Sequence, residues 1–246
     1  MLILAIDTAL DACSVGVLDT RASRLIAQES QPMKRGHAEA LMPLIARVMK
    51  EASLAFTALD RIAVTTGPGS FTGLRVGLSA ARGIALAAGK PVVGVTTLTA
   101  YAAPIVSGNS AAPVISAIDA RHDHVYVQVV AGDGSSLMSP RIAAIEEVFA
   151  ARRFGVPHLV GNAARILADR WPKEAPAPFQ VDALPAPDIT WVAWLGAAVN
   201  PETAPARPYY LRAPDAKPVT NLTLARRMKK ENRPSSRRFL SISERC

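Results

Sequence analysis

The sequence has little cysteine and few aromatic rings. Cys13 and Cys246 stand at opposite ends of the 246 residues. That excludes a disulfide framework and a thiolate zinc cluster, and it fits a reducing cytoplasm. Phe, Trp and Tyr make up 5%, so a core drawn from the 50% hydrophobic content must rest on aliphatic side chains and alanine. No run approaches the roughly 18 uninterrupted apolar residues that a membrane span needs. The apolar start, MLILAIDTAL, has no basic segment before it and is interrupted by Asp7, so it reads as a buried strand and not as a signal peptide. A soluble chain with no membrane partner is expected.

Two catalytic signatures are also missing a residue. The stretch TTGPGSFTGLR (65–75) has the glycines of a phosphate cradle. A P-loop, however, needs a lysine to neutralise the phosphates, and here the only nearby cation is Arg75. A structural turn with Ser70 or Thr72 as helix cap is the favoured reading, against direct phosphate binding. His37 opens a helical stretch, but Leu41 occupies the position where a second metal-binding histidine would share its face. The HDH at 122–124 falls at an expected hairpin turn with no third ligand close in sequence. GSFTG does not place its hydroxyls as a nucleophile elbow does.

What is present is organised twice over. LILAIDT (2–8), CSVGVLD (13–19) and RLIAQES (24–30) read as an antiparallel meander. Apolar periodicity then predicts a helix over 37–53, a strand over 61–67, a helix over 71–88, a strand over 91–96 and a helix over 97–106. AIDTALDACSVGV (5–17) aligns without a gap with AIDARHDHVYVQV (117–129), pairing Asp7 with Asp119. This predicts a duplicated α/β chain, with an N-terminal lobe over 1–106 and a C-terminal lobe over 107–218. In the second half, helices are expected over 142–152 and 189–199, and a strand leading into a helix over 158–170. A proline-rich loop is expected over 171–188.

Charge is concentrated at the end. Residues 219–246 hold eight basic and two acidic side chains, so the rest of the +8 chain is close to neutral. A solvated, disordered tail is the favoured reading, against contact with nucleic acid phosphates. The helices over 37–53 and 71–88 carry more apolar positions than one buried stripe requires, and Gly73, Gly77, Ala81 and Ala85 form a small-residue row. Either the second lobe covers them or another protein does, and the pattern favours a partner.

Two lobes that each begin with an aspartate-bearing strand and a hairpin resemble the actin-like ATPase superfamily, a ribonuclease H-like fold in which those aspartates face a nucleotide. More specifically, ILAIDTA, CSVGVL, GHAEALMPLI, the stretch 65–98 and RPYYLR together resemble the TsaB, or YeaZ, family over about residues 1–218. The resemblance implies a cytoplasmic, non-catalytic subunit. Its paralogue TsaD carries the metal and transfers a threonylcarbamoyl group to adenosine 37 of tRNAs reading codons that begin with A, and the ATPase TsaE joins them.

The resemblance implies a heterodimer through His37, Ala38, Leu41, Met42, Ile45, Leu74, Gly77, Leu78, Ala81, Ile84 and Ala85, with a homodimer as an option for the chain alone. It implies no metal and no cofactor held tightly by this chain, with ATP and magnesium used by the wider complex. Asp7, Thr8 and Asp119 are the candidates for residual nucleotide-facing residues. The alternatives are an actin-like ATPase or small-molecule kinase acting through Asp7 and Asp119 and, least favoured, a metal-dependent glycoprotease.

Overall fold

Strand β1 (Leu2–Asp7) is the centre of the first sheet, because its side chains are buried on both faces. It pairs antiparallel with β2 (Ala12–Asp19), which pairs antiparallel with β3 (Arg24–Pro32). On its other side lie the parallel strands β4 (Arg61–Gly67) and β5 (Val92–Thr96). Helices α1 (His37–Glu51), α2 (Phe71–Ala88) and α3 (Thr97–Ser107) supply the connections. The computed structural model describes residues 1–108 and 110–211 of the chain. The expected basic tail, 219–246, lies outside the described residues.

The second half repeats this plan. Strands β6 (Val114–Arg121), β7 (His124–Val130), β8 (Ser136–Ala144), β9 (His158–Val160) and β10 (Gln180–Asp182) alternate with α4 (Ile145–Val148), α5 (Ala164–Asp169) and α6 (Ile189–Ala198). The sheet orders β3-β2-β1-β4-β5 and β8-β7-β6-β9-β10 correspond strand for strand, with the same parallel and antiparallel partners. This is the two-lobed, duplicated α/β fold of the actin-like ATPases.

Two elements differ from the sequence reading. Residues 136–144 form β8, so the helix expected over 142–152 begins only at Ile145 and passes into a 3-10 turn over Phe149–Phe154. Its serines and Pro140 are weak strand signals, yet the residue positions suit an edge strand held by β7. The expected loop 171–188 contains β10, which is too short for a periodic signal and is recruited by β9.

The last helix crosses between halves. Helix α6 follows the second sheet in sequence but packs on β1, β2 and β4 of the first. Its Ile189, Val192 and Ala193 share a core with Ile3, Ala5, Ala63 and Val93. Arg61 Nη1 donates to the carbonyls of Gly196, Ala197 and Val199 and so satisfies the end of the helix. Helix α3, its counterpart, packs on β6 and on α6. Residues Met1–Arg212 consequently cluster as one unit.

Gly196 is the point of closest approach, since a Cβ there would overlap the Cβ of Ala63. Gly196→Ala should lower the unfolding free energy by roughly 1–3 kcal/mol through overpacking. Urea denaturation measures this, and an unchanged midpoint would refute the seam.

Candidate functional site

The loop 68–70 joins β4 to α2, and with the first turn of α2 it lies on the turn between β1 and β2. Ser70 N donates to the Ala9 carbonyl at 2.7 Å, and the Ser70 hydroxyl caps α2 by accepting from Gly73 N. The Thr8 hydroxyl donates to the Gly73 carbonyl at 2.7 Å. A Cβ at Gly69 would overlap the Ala9 carbonyl, one at Gly73 the Thr8 carbonyl, and one at Gly77 the Thr8 hydroxyl. These glycines therefore admit the polypeptide itself, and the space over the first hairpin turn is filled by the start of α2.

Asp7 is sealed beneath this contact, with 0% of its surface exposed, and Thr8 is buried beside it. Asp7 Oδ1 accepts from the Thr65 hydroxyl at 2.6 Å and from Ala9 N at 3.0 Å. Its Oδ2 is buried with no hydrogen-bond partner among the described residues. Burial pushes the carboxyl above its ordinary value of 3.8, while the Thr65 and Ala9 hydrogen bonds and the charge of His37 oppose that rise. Burial, aided by Asp7 and Glu29, also pushes the Cys13 thiol up to about 11, so it stays protonated and inert at neutral pH.

Asp119, the counterpart of Asp7, is exposed. Its Oδ1 accepts from Arg121 N, and its own N–H donates to Asn162 Oδ1, both at 2.8 Å. Of the three candidate nucleotide-facing residues, Asp7 and Thr8 are thus buried under the start of α2, whereas Asp119 lies at an exposed turn. A cavity of about 660 Å³ between α3, α6 and β7, walled by Trp191 and Trp194, has no charged side chain in its lining.

His37 is a structural residue. Its Nε2 hydrogen bonds to the Leu10 carbonyl at 3.0 Å and ties the start of α1 to the same hairpin turn. Residues 121–123 have left-handed backbone, and the His124 ring bonds to the His122 carbonyl, so HDH is a tight turn. Among the described residues, no three His, Cys, Asp or Glu side chains gather as a metal site.

The expected partner-facing residues divide by burial. His37, Leu41, Ile45, Leu74, Gly77, Leu78, Ala81 and Ala85 are buried against the chain's own first lobe, so these eight cannot form a free surface. The apolar stripe covers the sheet, and Gly73 and Gly77 of the small-residue row serve the Thr8 contact. Ala38 and Met42 are exposed and Ile84 half-buried. Met42 is 52% exposed and continues a row from Ala38 to Ala46, and Leu86 on α2 is 86% exposed.

Sequence reasoning missed a cluster at the beginning of α2. The chain after α6 returns along β5, with Gly94 N donating to Ala204 O and Tyr209 N to Thr66 O. This strap sets Tyr210 beside Phe71, and Arg75 lies over the Phe71 ring. The motif RPYYLR was the available signal, but only the fold joins it to residues 71–75.

The family model described as "TsaD: tRNA N6-adenosine threonylcarbamoyltransferase" matches residues 25–178. YeaZ from Pseudomonas aeruginosa is similar in structure, with a TM-score of 0.70 and 30% identity over 85% of this chain and 99% of that one. The chain belongs to the TsaB/YeaZ family. The tRNA threonylcarbamoyladenosine biosynthesis protein TsaB of Escherichia coli (strain K12) is 37% identical over 126 residues, which are 51% of this chain and 53% of that protein. Matches to such curated TsaB relatives thus span about half their length. An uncharacterized protein of Mycobacterium tuberculosis (strain ATCC 25618 / H37Rv) is 32% identical over 90% of this chain and 96% of its own. No described helix of this TsaB/YeaZ chain is long and apolar enough to cross a membrane.

The raised carboxyl of Asp7 has a thermodynamic sign. The folded state binds its proton more tightly than the unfolded state does, so this group's contribution to stability falls as pH rises above 3.8. Asp7→Asn keeps the Oδ1 acceptor and removes the titration. Its stability relative to the parent should increase between pH 4 and pH 7 in urea titrations. A difference that does not change with pH would show that Asp7 titrates normally.

Proposed function

We propose that this chain is a non-catalytic scaffold subunit that pairs with TsaD for N6-threonylcarbamoylation of adenosine 37 in tRNA, with TsaE and ATP serving the assembled complex in the cytoplasm. The observation that carries this reading is the filled first-lobe turn. The chain spends its glycines on seating α2 over Asp7, where an actin-like ATPase would need room for phosphates. The names of the TsaB relatives and the TsaD-family match support the pathway.

Pairing is assigned to the outward faces of α1 and α2, where Ala38, Met42, Ala46 and Leu86 leave apolar surface uncovered. Substitutions at Gly77 or Leu78 would report on folding, because both positions are buried in the first lobe. Met42→Asp instead should leave the chain's own stability within about 0.5 kcal/mol. It should abolish the 1:1 complex with TsaD of the same organism in size-exclusion chromatography with light scattering, and lower tRNA modification in cells. Retention of full pairing and modification would refute the assigned face. The ATPase alternative requires magnesium-dependent hydrolysis that is lost in Asp7→Ala. The scaffold reading expects no hydrolysis by the chain alone.

A further inference from the structure

The cluster at the start of α2 is built beyond what the fold requires. The Arg75 guanidinium lies 3.8 Å from the Phe71 ring centroid, and the Phe71 and Tyr210 centroids are 5.5 Å apart with planes inclined by 30°. Phe71 and Tyr210 are 40% and 41% exposed as residues, and Tyr209 beside them is also exposed. Their positions are held from behind. Phe71 follows the Ser70 cap, and the strap is anchored by Tyr209 N on the Thr66 carbonyl at 2.8 Å. Arg82 Nε secures the same strap by donating to the Ala206 carbonyl at 2.9 Å. Solvated aromatic rings carried on a fixed backbone are ready to stack without further ordering.

The charges around the cluster have one predominant sign. The β1–β2 turn, the β3–α1 loop and the β4–α2 loop converge here, joined by Met33 N on Asp11 O and Ser70 N on Ala9 O. Exposed cations stand on these segments, Lys34 and Arg35 on the β3–α1 loop, Arg75 on α2 and Arg207 on the strap, against the exposed carboxylates of Asp11 and Glu39. Exposed aromatic faces among cations match unpaired nucleotides, whose bases stack and whose phosphates attract the charges. The apolar row on α1 and α2 lacks such rings and suits a protein instead.

We infer that this end of the first lobe binds single-stranded RNA directly, with Phe71 and Tyr210 stacking on unpaired bases and Arg75, Lys34, Arg35 and Arg207 meeting phosphates. The inference rests on the tRNA-modification reading for its biological substrate, but the recognition chemistry belongs to the cluster itself. Stacking of this kind tolerates many base sequences and discriminates a loop from a duplex.

The test is fluorescence anisotropy of the full chain with a labelled hairpin RNA whose unpaired loop contains adenines, compared with the same strand annealed to its complement. The hairpin should bind more tightly than the duplex. Phe71→Ala combined with Tyr210→Ala should weaken hairpin binding about tenfold or more. Phe71→Tyr combined with Tyr210→Phe, which keeps both rings, should stay within about twofold of the parent. Arg75→Glu should weaken binding and flatten its salt dependence. Val156→Ala, exposed in the second half of the chain and outside both the cluster and the pairing face, should leave hairpin affinity unchanged. Equal affinity for hairpin and duplex, or unchanged binding by the double alanine variant, overturns the inference. Loss of TsaD pairing in that variant with RNA affinity intact also overturns it and makes the cluster a protein-docking surface. Complementation separates the two claims. If the parent chain does not restore tRNA modification, the scaffold reading falls. If parent and double alanine variant restore it equally with equal RNA affinity, only the stacking platform falls.

Discussion

The structure depends on one close approach, that of the first turn of α2 to the hairpin between β1 and β2. Gly69 in the preceding loop and Gly73 and Gly77 in the helix bring backbone within contact of Thr8 and Ala9, where any Cβ would intrude. The Thr8 hydroxyl and Ser70 N–H then convert proximity into hydrogen bonds. From that contact follow the burial of Asp7, the direction in which α2 leaves the sheet and the position of Phe71 at its exposed start. His37 adds α1 to the same turn through the Leu10 carbonyl. A loop that looks built for phosphate is packed against the chain's own first hairpin.

Duplication explains the framework, and divergence between the copies explains the specialisation. Both sheets have the same strand order, yet the first is served by helices of 15 and 18 residues and the second by helices of 4 and 6. Long helices cover one face of the first sheet and still leave an outer face free. The aspartates at equivalent positions illustrate the electrostatic side of the divergence. Asp7 lies in a sealed core that disfavours its charge, while Asp119 lies at an open turn capped by Arg121 N. The crossing of α6 onto the first sheet ties the halves into one unit.

The surface around α1 and α2 separates into two chemically distinct parts. The outer row of Ala38, Met42 and Ala46 is small, flat and apolar, which suits helix packing. The end formed by Phe71, Arg75 and Tyr210 is aromatic and cationic. Under the proposed scaffold reading, these two surfaces of the first lobe would serve a protein partner and a nucleic acid separately.

Much of this was legible in the chain. The period-two runs, the helical periodicities and the 5–17 and 117–129 match determine the strands, the helices and the duplication, because each is set by local side-chain alternation. The missing lysine after Gly67 and the Leu41 beside His37 are likewise read from the sequence directly. Edge strands such as β8 and β10 were hidden because neighbouring strands, and not their own residues, hold them in place. The face of each helix that meets the sheet was also beyond the sequence, since an excess of apolar positions does not say which of them the chain itself will cover. Periodicity and the internal match thus determined the fold class, and the specific motifs carried the family resemblance. Tertiary packing alone decided that Asp7 is sealed, that Leu78 is core and Met42 is surface, and that Tyr210 joins Phe71, because burial and stacking depend on residues brought together from distant parts of the chain.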